Sequence, residues 1–267
     1  MILSIDIGGS STHGVLMQGK KLLKTHSAPH NGIMYVRECH DALAKAALGK
    51  DYSLVFTGGG ARKVRQADFA KGYRVVGEIE AIGAGGVFLS GNDDVFVVSI
   101  GTGTAFVSVK GGHASHAGGT GIGGGTILGL SQLMLGADPD GAERLAKSAK
   151  DDLDISVLDI VGGPLGKIPA DATASNFGRA SAGSGRAGAA ASLLKLIAEP
   201  VGVMSYFAAK SAGQETCILV CGRVAVNAII KRKIIETVAM FGGRASVPDK
   251  AEFCAAIGAA IVAGEMR

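Results

Sequence analysis

A short apolar strand that runs directly into a glycine turn occurs twice in this chain, and the repetition limits the folds open to it. Asp6-Ile7-Gly8-Gly9-Ser10-Ser11-Thr12 aligns with Ser99-Ile100-Gly101-Thr102-Gly103-Thr104-Ala105. The first copy has strand-like runs at residues 2–7, 12–17 and 21–26, with Gly19-Lys20 as the second turn. The second has them at 94–100 and 105–110, with a short third strand after Gly111-Gly112. Each copy is closed later by a buried strand ending in glycine: 53–57 before Gly58-Gly59-Gly60, and Ile218 to Cys221 before Gly222. Two such units imply an α/β protein of two similar lobes, residues 1–93 and 94–267, facing each other across a cleft lined by four glycine turns. Bare glycine lets phosphate oxygens reach backbone N–H groups, so that cleft suits a nucleotide.

Helices are expected over 33–48, from about Gly124, over 139–150 and 151–161, over 186–211 with a break or kink at Pro200, and over 249–265. Asp138 or Asp140 is a candidate cap, and 170–178 reads as a polar loop. The 42 glycines follow no triplet period and accompany only 6 prolines, which excludes a collagen-like chain. A net charge of +4, with short basic clusters and no interleaved aromatics, points away from a nucleic-acid partner. The N-terminus lacks the basic region of a signal peptide. Lys195 and Glu199 interrupt the best candidate membrane span, so no membrane association is expected. Cys39, Cys217, Cys221 and Cys254 show no metal spacing and read as free thiols of a cytoplasmic protein.

Asp6 at a strand end can hold magnesium, directly or through water; the alternative is a hairpin turn whose carboxylate satisfies local amides. Gly118 to Thr126 contains GxGxxG at Gly119, Gly121 and Gly124, but no buried strand precedes it, so a Rossmann site is excluded. A glycine loop opening a helix still suits phosphate. No GxxxxGK[ST] occurs, nor HExxH, nor GxSxG. Glu78 and Glu80 follow a pair of valines at a helix start; they either complement the helix dipole or supply a general base facing the cleft.

Five motifs in order, Asp6-Ile7-Gly8-Gly9-Ser10, Glu78-Ile79-Glu80-Ala81, Ile100-Gly101-Thr102-Gly103-Thr104, Gly118 to Leu130 and Asp171 to Gly178, resemble the type II (eukaryotic-like, Fumble) pantothenate kinases over residues 1 to about 225. The resemblance implies an acetate kinase/sugar kinase/Hsp70/actin-type (ribonuclease H-like) fold. It also implies a homodimer that phosphorylates pantothenate with MgATP, the first step towards coenzyme A. Carried over by position, Asp6 serves the magnesium–phosphate site, Gly8, Gly9 and Ser10 line it, and Glu78 is the base. Thr102, Gly124, Gly125 and Thr126 hold ATP, with Gly222 and Arg223 near the adenosine. Thr102, Ala105 and His116 fall on the acceptor side. The family pattern has Lys, Ser and Arg where this chain has His13, Ala105 and His116. An imidazole, with an ordinary pKa of about 6.5, is a weaker cation than either replaced group. The acceptor is therefore pantothenate or another hydroxylated metabolite. A nucleotide-driven regulator is the remaining alternative, disfavoured by retention of both Asp6 and Glu78.

Overall fold

In β1 (Ile2–Ile7) the residues Leu3, Ile5 and Ile7 are buried on one face, which leaves Ser4 and Asp6 on the other. That alternation sets the layering of the first lobe. The computed structural model describes residues 1–69 and 72–265. β1 pairs antiparallel with β2 (Thr12–Gln18), and β2 with β3 (Lys21–Ala28). After α1 (Ile33–Ala46), β4 (Ser53–Thr57) and β5 (Tyr73–Val75) add parallel strands, giving the order β3-β2-β1-β4-β5, and α2 (Glu78–Ser90) follows.

The second lobe repeats this plan. β6 (Val95–Ile100), β7 (Thr104–Lys110) and β8 (His113–Thr120) form the antiparallel meander. Then come α3 (Gly124–Leu135), α4 (Pro139–Lys147), β9 (Ile155–Ser156), α5 (Val157–Val161), β10 (Thr173–Ser175) and α6 (Arg186–Ser211). β11 (Ile218–Cys221), α7 (Ala228–Met240), β12 (Ala245–Ser246) and α8 (Cys254–Glu265) complete the chain. The sheet order β8-β7-β6-β11-β12 is that of the first lobe, element for element. The fold is the two-lobed, actin-like and sugar-kinase-like architecture.

The closing helices are exchanged between the lobes. α2 packs on the second sheet, where Ile82 joins Val95, Val97, Val107 and Val109. α8 packs on the first, where Ala256, Ile257 and Ala260 join Val15 and Met17. The two helices touch through backbone. A Cβ on Gly258 would collide with the Ala81 carbonyl, and one on Gly85 with the Cys254 carbonyl. α1 covers the outer face of the first sheet, and α3, α4, α6 and α7 cover that of the second.

Residues 151–161 depart from the expected helix. The Asp154 N–H turns back to Asp152 Oδ1 at 3.0 Å, and both carboxylates grip Lys195 of α6, at 2.8 and 2.9 Å. Acids used in this way compete with helix formation, so only Val157–Val161 is helical, capped by Ser156 and Asp159. The 170–178 segment contains β10 and is likewise tied to α6: Thr173 and Asn176 donate to the Glu199 carboxylate at 2.7 and 3.0 Å. α6 runs unbroken through Pro200. By length and composition it is the one helix among the described residues that qualifies as a membrane span, yet Lys195 and Glu199 anchor it within the second lobe.

Gly258→Ala has only main-chain atoms to displace. It should lower the unfolding free energy by roughly 3 kcal/mol, the upper end for overpacking. Gly129→Ala, on exposed α3 with open space at its Cβ, should raise it by about 0.5–1 kcal/mol. Urea denaturation of the two variants checks the pair, and equal effects would contradict the packing described.

Candidate functional site

The parallel strands β1, β4, β6 and β11 all end in glycine turns, and the first turn of each lobe meets the other. Ser10 Oγ lies 3.2 Å from Thr102 Oγ1, and a Cβ on Gly9 would fall 2.5 Å from the same oxygen. The Gly8 N–H donates to the Ser11 carbonyl at 2.9 Å, which closes the first turn. Asn31, just before α1, donates its amide to the carbonyls of Gly8 and Gly9 at 3.1 and 2.6 Å. On the second lobe the N-terminus of α3 holds the matching turn. Gly124 and Gly125 donate to the carbonyls of Gly101 and Thr102, at 2.8 and 2.9 Å. Thr126 Oγ1 accepts from the Gly123 N–H and donates to the Gly121 carbonyl. The two N–H groups and the hydroxyl are engaged within the protein, where they shape the Thr102 turn, and Gly124 also lines the cleft described below.

Asp6 stands at the carboxyl end of β1, half-buried, with Gly58 pressed so close that a Cβ there would strike Asp6 Oδ1. Burial first, and the nearby Glu78 carboxylate second, raise its pKa to about 7. The Glu78 carboxylate is on the Gly59 side, 3.9 Å from where a Gly59 Cβ would be, whereas that of Glu80 turns back over Gly77 at the start of α2. Abreast of Asp6 on β4, the hydroxyl of Thr57 is buried without a hydrogen-bond partner among the described residues. An enclosed carboxylate beside an orphaned hydroxyl fits a cation that keeps most of its ligands as water and phosphate oxygens, as magnesium does. No cluster of three or more His, Cys, Asp or Glu suited to a metal occurs among the described residues, so a dedicated protein cage is absent there.

A cleft of about 1010 Å³ opens on the other side of the first turn. Gly9, Ser10, Ser11 and His13 line it from the first lobe, and Gly124, Ile127, Asp140, Arg223, Val224 and Asn227 from the second. Gly9 and Gly124 contribute the glycines of this lining, and Gly222 is folded against the Ile100 backbone at φ 95°. Arg223 is exposed and has no carboxylate partner among the described residues. His13 is buried, and burial together with Arg223 holds its pKa at about 4. Ala105 packs among the residues between the second sheet and α2, with Ile79. His116, exposed on β8, is paired with Val107 and so shares that sheet face.

Sequence reasoning missed Asn31 and Thr57. Asn31 follows Pro29-His30 and precedes Gly32, so it looks like an ordinary loop residue. Thr57 reads as the last residue of an apolar strand; only the neighbouring strand's Asp6 gives it meaning.

The model of the Fumble family matches residues 92–261. A type II pantothenate kinase of Bacillus cereus is 33% identical over 188 residues, which cover 67% of this chain and 67% of that one. Among solved structures, the activator of 2-hydroxyisocaproyl-CoA dehydratase from Clostridium difficile with bound ADPNP superposes with a TM-score of 0.71 at 17% identity, covering 99% and 94% of the two chains. The ROK hexokinase of Thermus thermophilus does so with a TM-score of 0.58 at 14% identity, covering 100% and 99%.

The two shifted groups pull stability in opposite directions with pH. His13 has a folded pKa of about 4 against 6.5, so the unfolded chain binds the extra proton between these values. Its contribution is present above pH 6.5 and is lost as pH falls towards 4. Asp6, at about 7 against 3.8, binds the extra proton in the folded state, so a cost builds as pH rises from 3.8 to about 7. At ~1.4 kcal/mol per unit, they amount to roughly 3–5 kcal/mol each. Asp6→Asn should therefore be more stable than the parent at neutral pH and lose stability steeply on acidification to about pH 4. His13→Gln should gain stability over the same descent. Urea titrations at several pH values check this; parallel curves for the two variants would contradict it.

Proposed function

The chain belongs to the Fumble family of pantothenate kinases, and on that premise we propose that it transfers the γ-phosphoryl group of MgATP to a hydroxyl of pantothenate, the step that opens coenzyme A synthesis. That it is a small-molecule kinase follows from the family; the acceptor and the residue roles are this reading's own. The observation that carries it is the contact between the Gly9–Ser10 and Thr102 turns. On one side lies a nucleotide-sized cleft, and on the other a pair of carboxylates from two different elements. The Clostridium difficile activator, on the same fold, holds an ATP analogue.

In this reading the polyphosphate lies along the Gly8–Ser10 turn with its end at Thr102, and the adenosine extends past Val224 and Asn227. Arg223, exposed and without a carboxylate partner among the described residues, meets the nucleotide's negative charge. Asp6 is the residue that would hold magnesium, which would supply positive charge beside the phosphate oxygens. A cation beside Asp6 would offset the burial and the Glu78 charge that raise its pKa. Glu78 takes the proton from the acceptor hydroxyl; its carboxylate faces Gly59 and the Asp6 side, while Glu80 is turned away. Ala105 and His116 lie on the α2-facing side of the second sheet and form the acceptor's other wall. Lobes divided near residues 93/94 close around both substrates, pivoting on α2 and α8. The family resemblance also supports a homodimer in the cytoplasm.

A coupled ADP-release assay against a panel of hydroxy acids tests the acceptor. Pantothenate should give the highest kcat/KM, and a higher value for another hydroxylated compound would replace it. Glu78→Gln should lower kcat by about 10²-fold or more while Glu80→Gln changes it only a few-fold, the usual scale for losing a general base. His116→Arg should lower the KM for pantothenate by about tenfold if this wall meets the carboxylate, since a guanidinium supplies two parallel hydrogen bonds. An unchanged KM would remove His116 from the site.

A further inference from the structure

Three side chains of the cleft wall, Ser11, His13 and Ser27, have no part in the reading above, and they form a single hydrogen-bonded row. Ser11 Oγ is 2.9 Å from His13 Nε2, and His13 Nδ1 is 2.9 Å from Ser27 Oγ. The ring is buried, edge-on to Phe253 with centroids 5.7 Å apart, on the strand next to Asp6. With its pKa near 4, the imidazole is uncharged at neutral pH and carries one N–H and one bare nitrogen.

Counting protons gives the consequence. The row contains three polar hydrogens, one on each hydroxyl and one on the ring, and two hydrogen bonds use two of them. One O–H is always left over. With the ring proton on Nε2, Ser11 accepts from the ring, Ser27 donates to Nδ1, and the spare O–H is that of Ser11. With the proton on Nδ1, the spare O–H is that of Ser27. Ser11 belongs to the glycine turn itself, since its carbonyl receives the Gly8 N–H. An anion held at that turn favours the tautomer that points a donor towards it; the ring proton exchanges through solvent, and both tautomers leave the row uncharged.

We infer that Ser11 is a further phosphate-contacting residue, its hydroxyl turned into the cleft through His13 and Ser27, so that a neutral row serves the wall where the family pattern carries a lysine. Ser11 touches the nucleotide; His13 and Ser27 are positioning residues. The inference rests on the kinase reading, and the experiment separates the two.

Calorimetry with magnesium and a nonhydrolysable ATP analogue is run on the parent, Ser11→Ala, Ser27→Ala and the double variant. Ser11→Ala should weaken binding about tenfold, as expected for one hydrogen bond to a charged acceptor. Exposed Ser27→Ala should weaken it several-fold, and the double variant should bind no more weakly than Ser11→Ala alone, because the two act in one row. ¹⁵N NMR of the His13 ring should show the Nε2–H form gaining population on nucleotide addition. Undiminished binding by Ser11→Ala, fully additive losses, or a ring that stays Nδ1–H with nucleotide bound would each overturn the inference. Absence of binding by the parent protein would instead remove the kinase reading, and this inference with it.

Discussion

Main-chain contact between α2 and α8 is the constraint on which the rest of the structure depends. Each helix closes one lobe in sequence and packs on the other lobe's sheet, so this helix pair joins the two sheets. Gly258 against the Ala81 carbonyl and Gly85 against that of Cys254 bring the helix axes as close as backbone allows. That spacing in turn sets the distance between the carboxyl ends of β1 and β6. At those ends Ser10 and Thr102 come within hydrogen-bonding reach. A side chain between the helices would push the sheets apart and open the junction where the phosphoryl group is proposed to pass.

The site is built at the expense of stability. Asp6 is enclosed beside a second carboxylate, and Thr57 next to it buries a hydroxyl that has no hydrogen-bond partner among the described residues. A protein without a ligand to bind gains nothing from either arrangement. His13 adds a buried imidazole whose neutral state is maintained by burial and by Arg223. Around these groups the scaffold is rigid: Asn31 clasps the first turn, the α3 N-terminus clasps the second, and Gly222 is wedged against Ile100. Unfavourable electrostatics at the centre with firm hydrogen bonding around it are the pattern of a preorganised binding site.

The duplication was legible because each copy shows the same strand–glycine punctuation, and sheet order follows from it. The positions of Asp6, Glu78 and the paired turns were legible for the same reason: they sit at strand ends or helix starts, where sequence pattern is sharp. Exchange of the closing helices was not. α2 and α8 are apolar on nearly every side, so no polar stripe indicates which sheet each covers. The bonds from Gly124 and Gly125 to the Gly101 and Thr102 carbonyls were hidden because a glycine loop before a helix reads the same whatever its N–H groups face. The 151–178 excursion was misread since Asp152, Asp154 and Thr173 acquire their partners, Lys195 and Glu199, only through the fold. The Ser11–His13–Ser27 row joins two strands across a turn, a pairing that linear spacing does not reveal.

The central claim is that the touching glycine turns are where the transferred phosphoryl group lies. A crystal structure of the protein with magnesium, a nonhydrolysable ATP analogue and pantothenate tests it most directly. The account predicts the terminal phosphate between the Gly8–Ser10 turn and Thr102, magnesium beside Asp6, and the acceptor hydroxyl within hydrogen-bonding distance of Glu78. A nucleotide whose phosphates lie away from both turns, or an acceptor bound out of reach of Glu78, would contradict it.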